Sequence, residues 1–113
     1  MICFIEAQCK NWEHNQVNAG FVKLVKHITD EECHFWGEKE HICNLKQMTE
    51  FDSITIHEMD LPELIIDSSK NCKEYYALLK PIFSSLKKSE NVKIVFLSAH
   101  KGIVLACIES VSY

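Results

Sequence analysis

The stretch that decides the fold is Ile2-Cys3-Phe4-Ile5, followed by a polar segment from Gln8 to Gln16 and then by Val17-Asn18-Ala19-Gly20-Phe21. Four consecutive apolar residues bounded by polar ones read as a short buried strand, and the polar segment, with Asn11, Glu13, His14 and Asn15, reads as a loop. From there Val17, Phe21, Leu24, Val25 and Ile28 recur at helical spacing, with Lys23, Lys26 and Asp30 on other faces. The spacing predicts an amphipathic helix over 15–29.

The same unit repeats downstream. Cys33-His34-Phe35-Trp36 stops at Gly37, and 38–46 changes to a helical rhythm carried by Ile42 and Leu45. A third strand, Ser53-Ile54-Thr55-Ile56-His57, is rich in β-branched residues and runs into Glu58 and Met59. Pro62 marks a loop or a first helical turn. Residues 73–87 form the longest helix candidate, with Tyr76, Leu79, Ile82, Phe83 and Leu86 on one stripe; Pro81 is expected to kink or split it near Lys80. A last strand over 92–97 precedes Ser98-Ala99-His100-Lys101-Gly102, after which Ile103, Val104, Cys107, Ile108 and Val111 predict a final helix.

Alternating strands and helices imply a parallel sheet, because each parallel connection is a right-handed crossover with a helix on a sheet face. The expected fold class is therefore α/β: a three-layer Rossmann-like half-domain, with a parallel sheet of about four strands in the order 3-2-1-4 and helices on both faces. Residues 1–113 are expected to form a single such domain. The chain stops at Val111-Ser112-Tyr113 inside an apolar helical pattern without a Gly or Asn stop, so it is expected to be the N-terminal lobe, or a fragment, of a longer two-domain protein.

With 47% apolar and 25% charged residues the balance is that of a globular chain, and its 113 residues leave room for one modest core. Twelve basic against 16 acidic side chains give a charge of −4, and the basic ones are scattered. Nucleic acid is accordingly not expected as a partner. No apolar run approaches the ~20 residues of a membrane span, and the opening run meets Glu6 too soon for a secretory core. A cytoplasmic location is expected, at the membrane periphery in a longer parent protein. There Cys3, Cys9, Cys33, Cys43, Cys72 and Cys107 stay reduced, and none forms a C-x-x-C pair.

In an open parallel sheet, ligands bind beyond the carboxyl ends of the strands, where the strand order reverses. The residues that fall there are Asn11, Trp12, Glu13, His14 and Asn15 after the first strand; Gly37, Glu38 and His41 after the second; His57 and Glu58 after the third; and Ser98 and His100 after the fourth. In the order 3-2-1-4 the loops bearing His14 and His100 become neighbours, and a helix beginning near Asn15 turns free N–H groups toward them. Trp12, in a polar loop, is the better placed of the two tryptophans for stacking. Cys33, His34, His41 and Cys43 are of zinc-ligand type, but their spacing points them apart, and no metal is expected. Cys9 follows the first strand without an arginine or glycine to cradle an oxyanion and is read as a bystander.

Over nearly its whole length the chain resembles the N-terminal half-domain of GT-B fold glycosyltransferases, in particular the family 4-like retaining enzymes. The residues that carry the resemblance are Trp12-Glu13-His14-Asn15-Gln16-Val17-Asn18-Ala19-Gly20-Phe21, Phe35-Trp36-Gly37-Glu38-Lys39-Glu40-His41 and Phe96-Leu97-Ser98-Ala99-His100. The resemblance implies a lobe that holds a sugar or glycan acceptor, facing a second lobe that holds the nucleotide-sugar donor, with no further cofactor. It makes His14 and His100 the catalytic, acceptor-side groups, and Glu38 and His41 lining residues of the same cleft, with Asn18 among the binding positions. Alone, such a lobe does not complete a sugar transfer. The competing expectation is a small non-enzymatic α/β binding or assembly module, and in either case an exposed apolar surface would favour a homodimer.

Overall fold

The computed structural model describes residues 1–63, 68–89, 91–98 and 101–111. The elements run β1 (Ile2–Ile5), α1 (Asn15–Ile28), β2 (Cys33–Gly37), α2 (Lys39–Leu45), β3 (Ile54–Glu58), α3 (Ser69–Leu86), β4 (Lys93–Phe96) and α4 (Lys101–Val111). The fold is α/β, with a four-stranded, all-parallel sheet in the order β3-β2-β1-β4. The parallel pairing follows from the alternation of elements, and the order is that of the Rossmann-like half-domain expected from the sequence. The chain divides into two compact units: Met1–Asp60 with Lys93–Ser98, and Leu61–Val92 with Ala99–Tyr113.

The first unit holds the sheet, α1 and α2. Side chains alternate across a strand, so Ile2 and Phe4 of β1, Cys33 and Phe35 of β2, and Ile54 and Ile56 of β3 share one face. They pack with Ala19, Val22 and Val25 of α1, Ile42 and Leu45 of α2, and Phe51. Phe35 sits at the centre, its ring 6.1 Å from Phe4 and 5.5 Å from Phe51. Burying each such ring stabilises the fold by roughly 1.5–3 kcal/mol. Both helices lie on this face because the chain steps twice in one direction, β1 to β2 to β3, through right-handed crossovers.

Of the five residues that announce α1 as a helix, only Val25 packs against the core. Asn18, Ala19 and Val22 are its buried positions, whereas Val17, Phe21, Leu24 and Ile28 lie on the exposed side. The small Ala19 and the β-branched Val22 let the helix approach the sheet, which leaves the larger residues outside.

The second unit contains α3 and α4, which pack together. Ser68 caps α3, its hydroxyl accepting from the backbone N–H of Asn71 at 3.2 Å. Tyr75, Leu79, Phe83 and Leu86 form its buried row, and Ile103 and Ala106 are buried on α4. The helices approach closely at Gly102, where an added Cβ would stand 2.3 Å from the carbonyl oxygen of Cys72.

Of the two outcomes expected at Pro81, a kink or a split near Lys80, the split does not occur: α3 runs through Pro81 as one helix. Pro81 and Ala77, whose carbonyl would have received the missing N–H, are both exposed. Water can therefore satisfy that carbonyl, while the buried row from Leu79 to Phe83 spans the proline.

Candidate functional site

The site begins with Glu6, the first residue after β1. It is in phase with Ile2 and Phe4, so its side chain enters the layer between sheet and helices and is fully buried. Its carboxylate accepts from the backbone N–H groups of Gln8 and Cys9, each at 3.1 Å, from the Asn18 amide at 2.7 Å, and from the Ser98 hydroxyl. Burial pushes the Glu6 pKa upward, but the four donors together outweigh it and hold the carboxyl below its ordinary value. A buried charge without such partners would be strongly unfavourable.

Asn18 connects this carboxylate to His41. The two amide hydrogens of Asn18 Nδ2 have one acceptor each: Glu6 Oε1, and His41 Nε2 at 3.0 Å. His41 is also fully buried, and its Nδ1 lies 3.0 Å from the carbonyl oxygen of Asn11. A carbonyl can only accept, so the pattern assigns the proton to Nδ1 and leaves Nε2 to receive the Asn18 hydrogen.

Glu38 completes the arrangement. It caps α2, accepting from the backbone N–H groups of Glu40 at 2.7 Å and His41 at 3.0 Å, and also takes the N–H of Asn11 at 3.0 Å. Burial raises its pKa and the hydrogen bonds from Glu40, Asn11 and His41 lower it, with a net fall. Asn11 is thus gripped at both its N–H and its carbonyl, in a left-handed conformation with φ 52°. Next to Glu38, Gly37 keeps the end of β2 narrow, since a Cβ there would meet the Phe35 ring at 2.7 Å.

Above this buried layer Trp12, Glu13 and His14 are exposed. His14 precedes α1 in a left-handed conformation, φ 48°, and its side chain makes no capping bond. Asn15 opens α1 with its amide directed at the Met48 sulfur, 3.2 Å away. Ser98 joins the group across the switch point: its hydroxyl accepts from the N–H of Ala7 at 3.3 Å, beside the Leu97 N–H bond to the Ile5 carbonyl at 3.0 Å. β1 and β4 are the neighbours at which the strand order reverses.

The structure therefore brings together Trp12, Glu13, His14, Asn18, Glu38, His41 and Ser98. It places His57 elsewhere, inside β3 on the opposite sheet face, with its ring 4.1 Å from Trp36 and its Nε2 2.9 Å from His34 Nδ1. Burial and the neighbouring His34 lower the His57 pKa. Glu58 is exposed at the end of β3, and His100 lies outside the described residues. Glu6 is the residue that sequence reasoning missed; its signal was an acid in phase with the apolar run before it.

Cys9 is buried and its thiol is pushed up to about 12, first by burial and then by Glu6, which is the opposite of what a nucleophile needs. Among the described residues no group of three or more His, Cys, Asp or Glu could hold a metal ion. A hollow of about 530 Å³ lies between the end of α2 and the start of β3, lined by Met48, Phe51, Ile54 and Ile56 among others; Met48 is the residue that the Asn15 amide meets. No helix among the described residues is long and apolar enough to cross a membrane. Comparisons with protein-family models, with curated proteins and with solved structures return no match.

Proposed function

We propose that the chain is the acceptor-side lobe of a glycosyltransferase, taking a sugar or glycan on the Asn11–His14 loop and acting only when a second lobe brings the nucleotide-sugar donor. The observation that carries this reading is the contrast between the two layers of the rim. Buried Glu6, Asn18 and His41, together with half-buried Glu38, fix the backbone of a loop whose outward side chains, Trp12, Glu13 and His14, are left exposed. Rigid support beneath exposed polar and aromatic groups is the construction of a binding loop.

The chemistry of those three groups suits a saccharide. An indole offers a flat apolar surface to the C–H face of a pyranose, with an N–H at its edge. A carboxylate accepts hydrogen bonds from sugar hydroxyls, and an imidazole can take the proton that an acceptor hydroxyl loses as it attacks the donor carbon. The resemblance of the three strand-end segments to the GT-B half-domain supports the same assignment, and it implies His100 as a second acceptor-side group.

The test is a titration of the ¹⁵N-labelled chain with a panel of monosaccharides and disaccharides, followed by amide shifts. Shifts centred on 11–15, lost in Trp12→Ala and weakened in His14→Ala at unchanged folding, are expected. Shifts that ignore both substitutions would favour the non-enzymatic module, and an unresponsive loop with every saccharide would remove the proposal.

A further inference from the structure

The proposed sugar chemistry makes no use of the sheet face opposite α1 and α2, where a carboxylate and two imidazoles stand in a line. Glu32 Oε1 lies 3.1 Å from His34 Nε2, and His34 Nδ1 lies 2.9 Å from His57 Nε2. Both rings run nearly parallel to the Trp36 indole, with centroids 5.6 Å from it for His34 and 4.1 Å for His57. His34 is on β2 and His57 on β3, an edge strand whose one neighbour in the sheet is β2. The imidazole pair is therefore a side-chain tie between the edge strand and the rest of the sheet.

The hydrogen positions follow from the acceptor at the end of the line. A carboxylate only accepts, so His34 donates its Nε2–H to Glu32 and, when neutral, keeps Nδ1 bare; His57 must then donate its Nε2–H to that nitrogen. A first proton leaves the line intact. His34 becomes an imidazolium between the Glu32 carboxylate and a bare His57 Nε2, and only the direction of the middle bond reverses. A second proton has no such place: both facing nitrogens would carry hydrogens and both rings a positive charge, 2.9 Å apart. The other titratable groups nearby do not offset this. Glu32 is at the far nitrogen of His34, Cys3 of β1 is a thiol that burial pushes up to about 11, and Glu58 faces the other side of β3.

We propose that this pair is an acid-operated latch: protonation of both rings breaks the His34–His57 bond, turns His57 off Trp36 toward solvent, and loosens β3 at the edge of the sheet. His57 is only half-buried, so its path to water is short. Ile54 and Ile56 of the same strand line the hollow beside α2, and loosening β3 opens that hollow. The latch does not rest on the saccharide reading.

The experiment is amide hydrogen exchange of the whole chain, read as protection factors from pH 7.5 to about 5, where histidine titrates and most carboxylates stay charged. Protection over Ile54–Glu58 should fall by about tenfold, the equivalent of one pKa unit, while that over Ile2–Ile5 is kept. In a Trp12→Phe background the emission of Trp36 should move to the red over the same range. His34→Gln leaves one charge where there were two and should abolish the acid loss of protection. His57→Phe, which keeps a ring against Trp36, should do the same, with circular dichroism showing either variant folded. Acid loss that persists in both variants would overturn the latch. So would an equal loss across the whole chain, or none over Ile54–Glu58 in the wild type.

Discussion

Asn18 Nδ2 lies 2.7 Å from Glu6 Oε1, so a side chain in the first turn of α1 donates into the carboxylate that ends β1. The same nitrogen is 3.0 Å from His41 Nε2. Asn18→Leu keeps approximate volume but strips a donor from a buried carboxylate and a buried imidazole. Each unsatisfied group costs about 1–3 kcal/mol, more when charged, so urea unfolding should show a loss of roughly 3 kcal/mol. A change below about 0.5 kcal/mol, the scale of an ordinary surface substitution, would mean that the network is not holding α1 to the sheet.

Glu6 gives the fold an acid sensitivity of definite sign. Its folded pKa is below the ordinary value of 4.5 despite burial, because the hydrogen bonds from Ser98, Asn18, Cys9 and Gln8 favour the charged form. The stabilisation is complete above the unfolded value and is lost as pH falls through the lower, folded one. Glu6→Gln, which sets an amide N–H₂ among donors, should be markedly less stable than wild type at pH 7. The gap should narrow as pH is lowered below about 4.5; a gap independent of pH would contradict the ionised state.

His57 acts in a different window. Burial, then His34, lowers its pKa from 6.5, so above that value folding carries no penalty from this group. As pH falls through 6.5 the unfolded chain takes up the proton first and stability declines, levelling off below the folded pKa. His57→Phe, which retains a ring against Trp36, should flatten the stability profile between pH 7.5 and 5.5. A ¹H NMR titration of His57 with a midpoint at or above 6.5 would refute this.

Two glycines in helices should respond to alanine in opposite directions. A Cβ on Gly102 would meet the Cys72 carbonyl oxygen at 2.3 Å and Tyr75 Cβ at 3.0 Å, whereas one on Gly20 has nothing within 4 Å. Gly102→Ala must separate α3 from α4 and should cost about 1–3 kcal/mol. Gly20→Ala gains helix propensity and should stabilise by up to ~1 kcal/mol. Thermal melts of the two variants give the comparison directly.

Thiol reactivity should follow exposure rather than position after a strand. Cys43 is exposed on α2, while Cys3, Cys9 and Cys33 are buried. Burial drives the thiols of Cys3 and Cys9 up to about 11 and 12. A disulfide reagent at pH 8 should label Cys43 first and leave Cys9 intact until the chain unfolds. Early labelling of Cys9 would reopen a nucleophilic role for it.

The sequence by itself determined the order and type of the elements and, through their alternation, an α/β fold with a parallel sheet; the strand order β3-β2-β1-β4 agrees with the Rossmann pattern expected for it. These follow from apolar periodicity and chain connectivity, which are local properties. The rim positions 11–15, 37–41 and 98 were legible for the same reason, because a strand's end is visible where its apolar run stops. Only the tertiary structure decided what those residues do there. It selected the small side chains Ala19 and Val22 over the larger apolar stripe as the buried face of α1, since the distance from helix to sheet is set by packing and not by period. It let α3 pass through Pro81, because exposure at Ala77 and Pro81 leaves the freed carbonyl to water. And it turned Glu6 from the residue that ends an apolar run into the buried centre of the site. A carboxylate survives there only because Gln8, Cys9, Asn18 and Ser98, two of them far from it in the chain, bring four donors to one point.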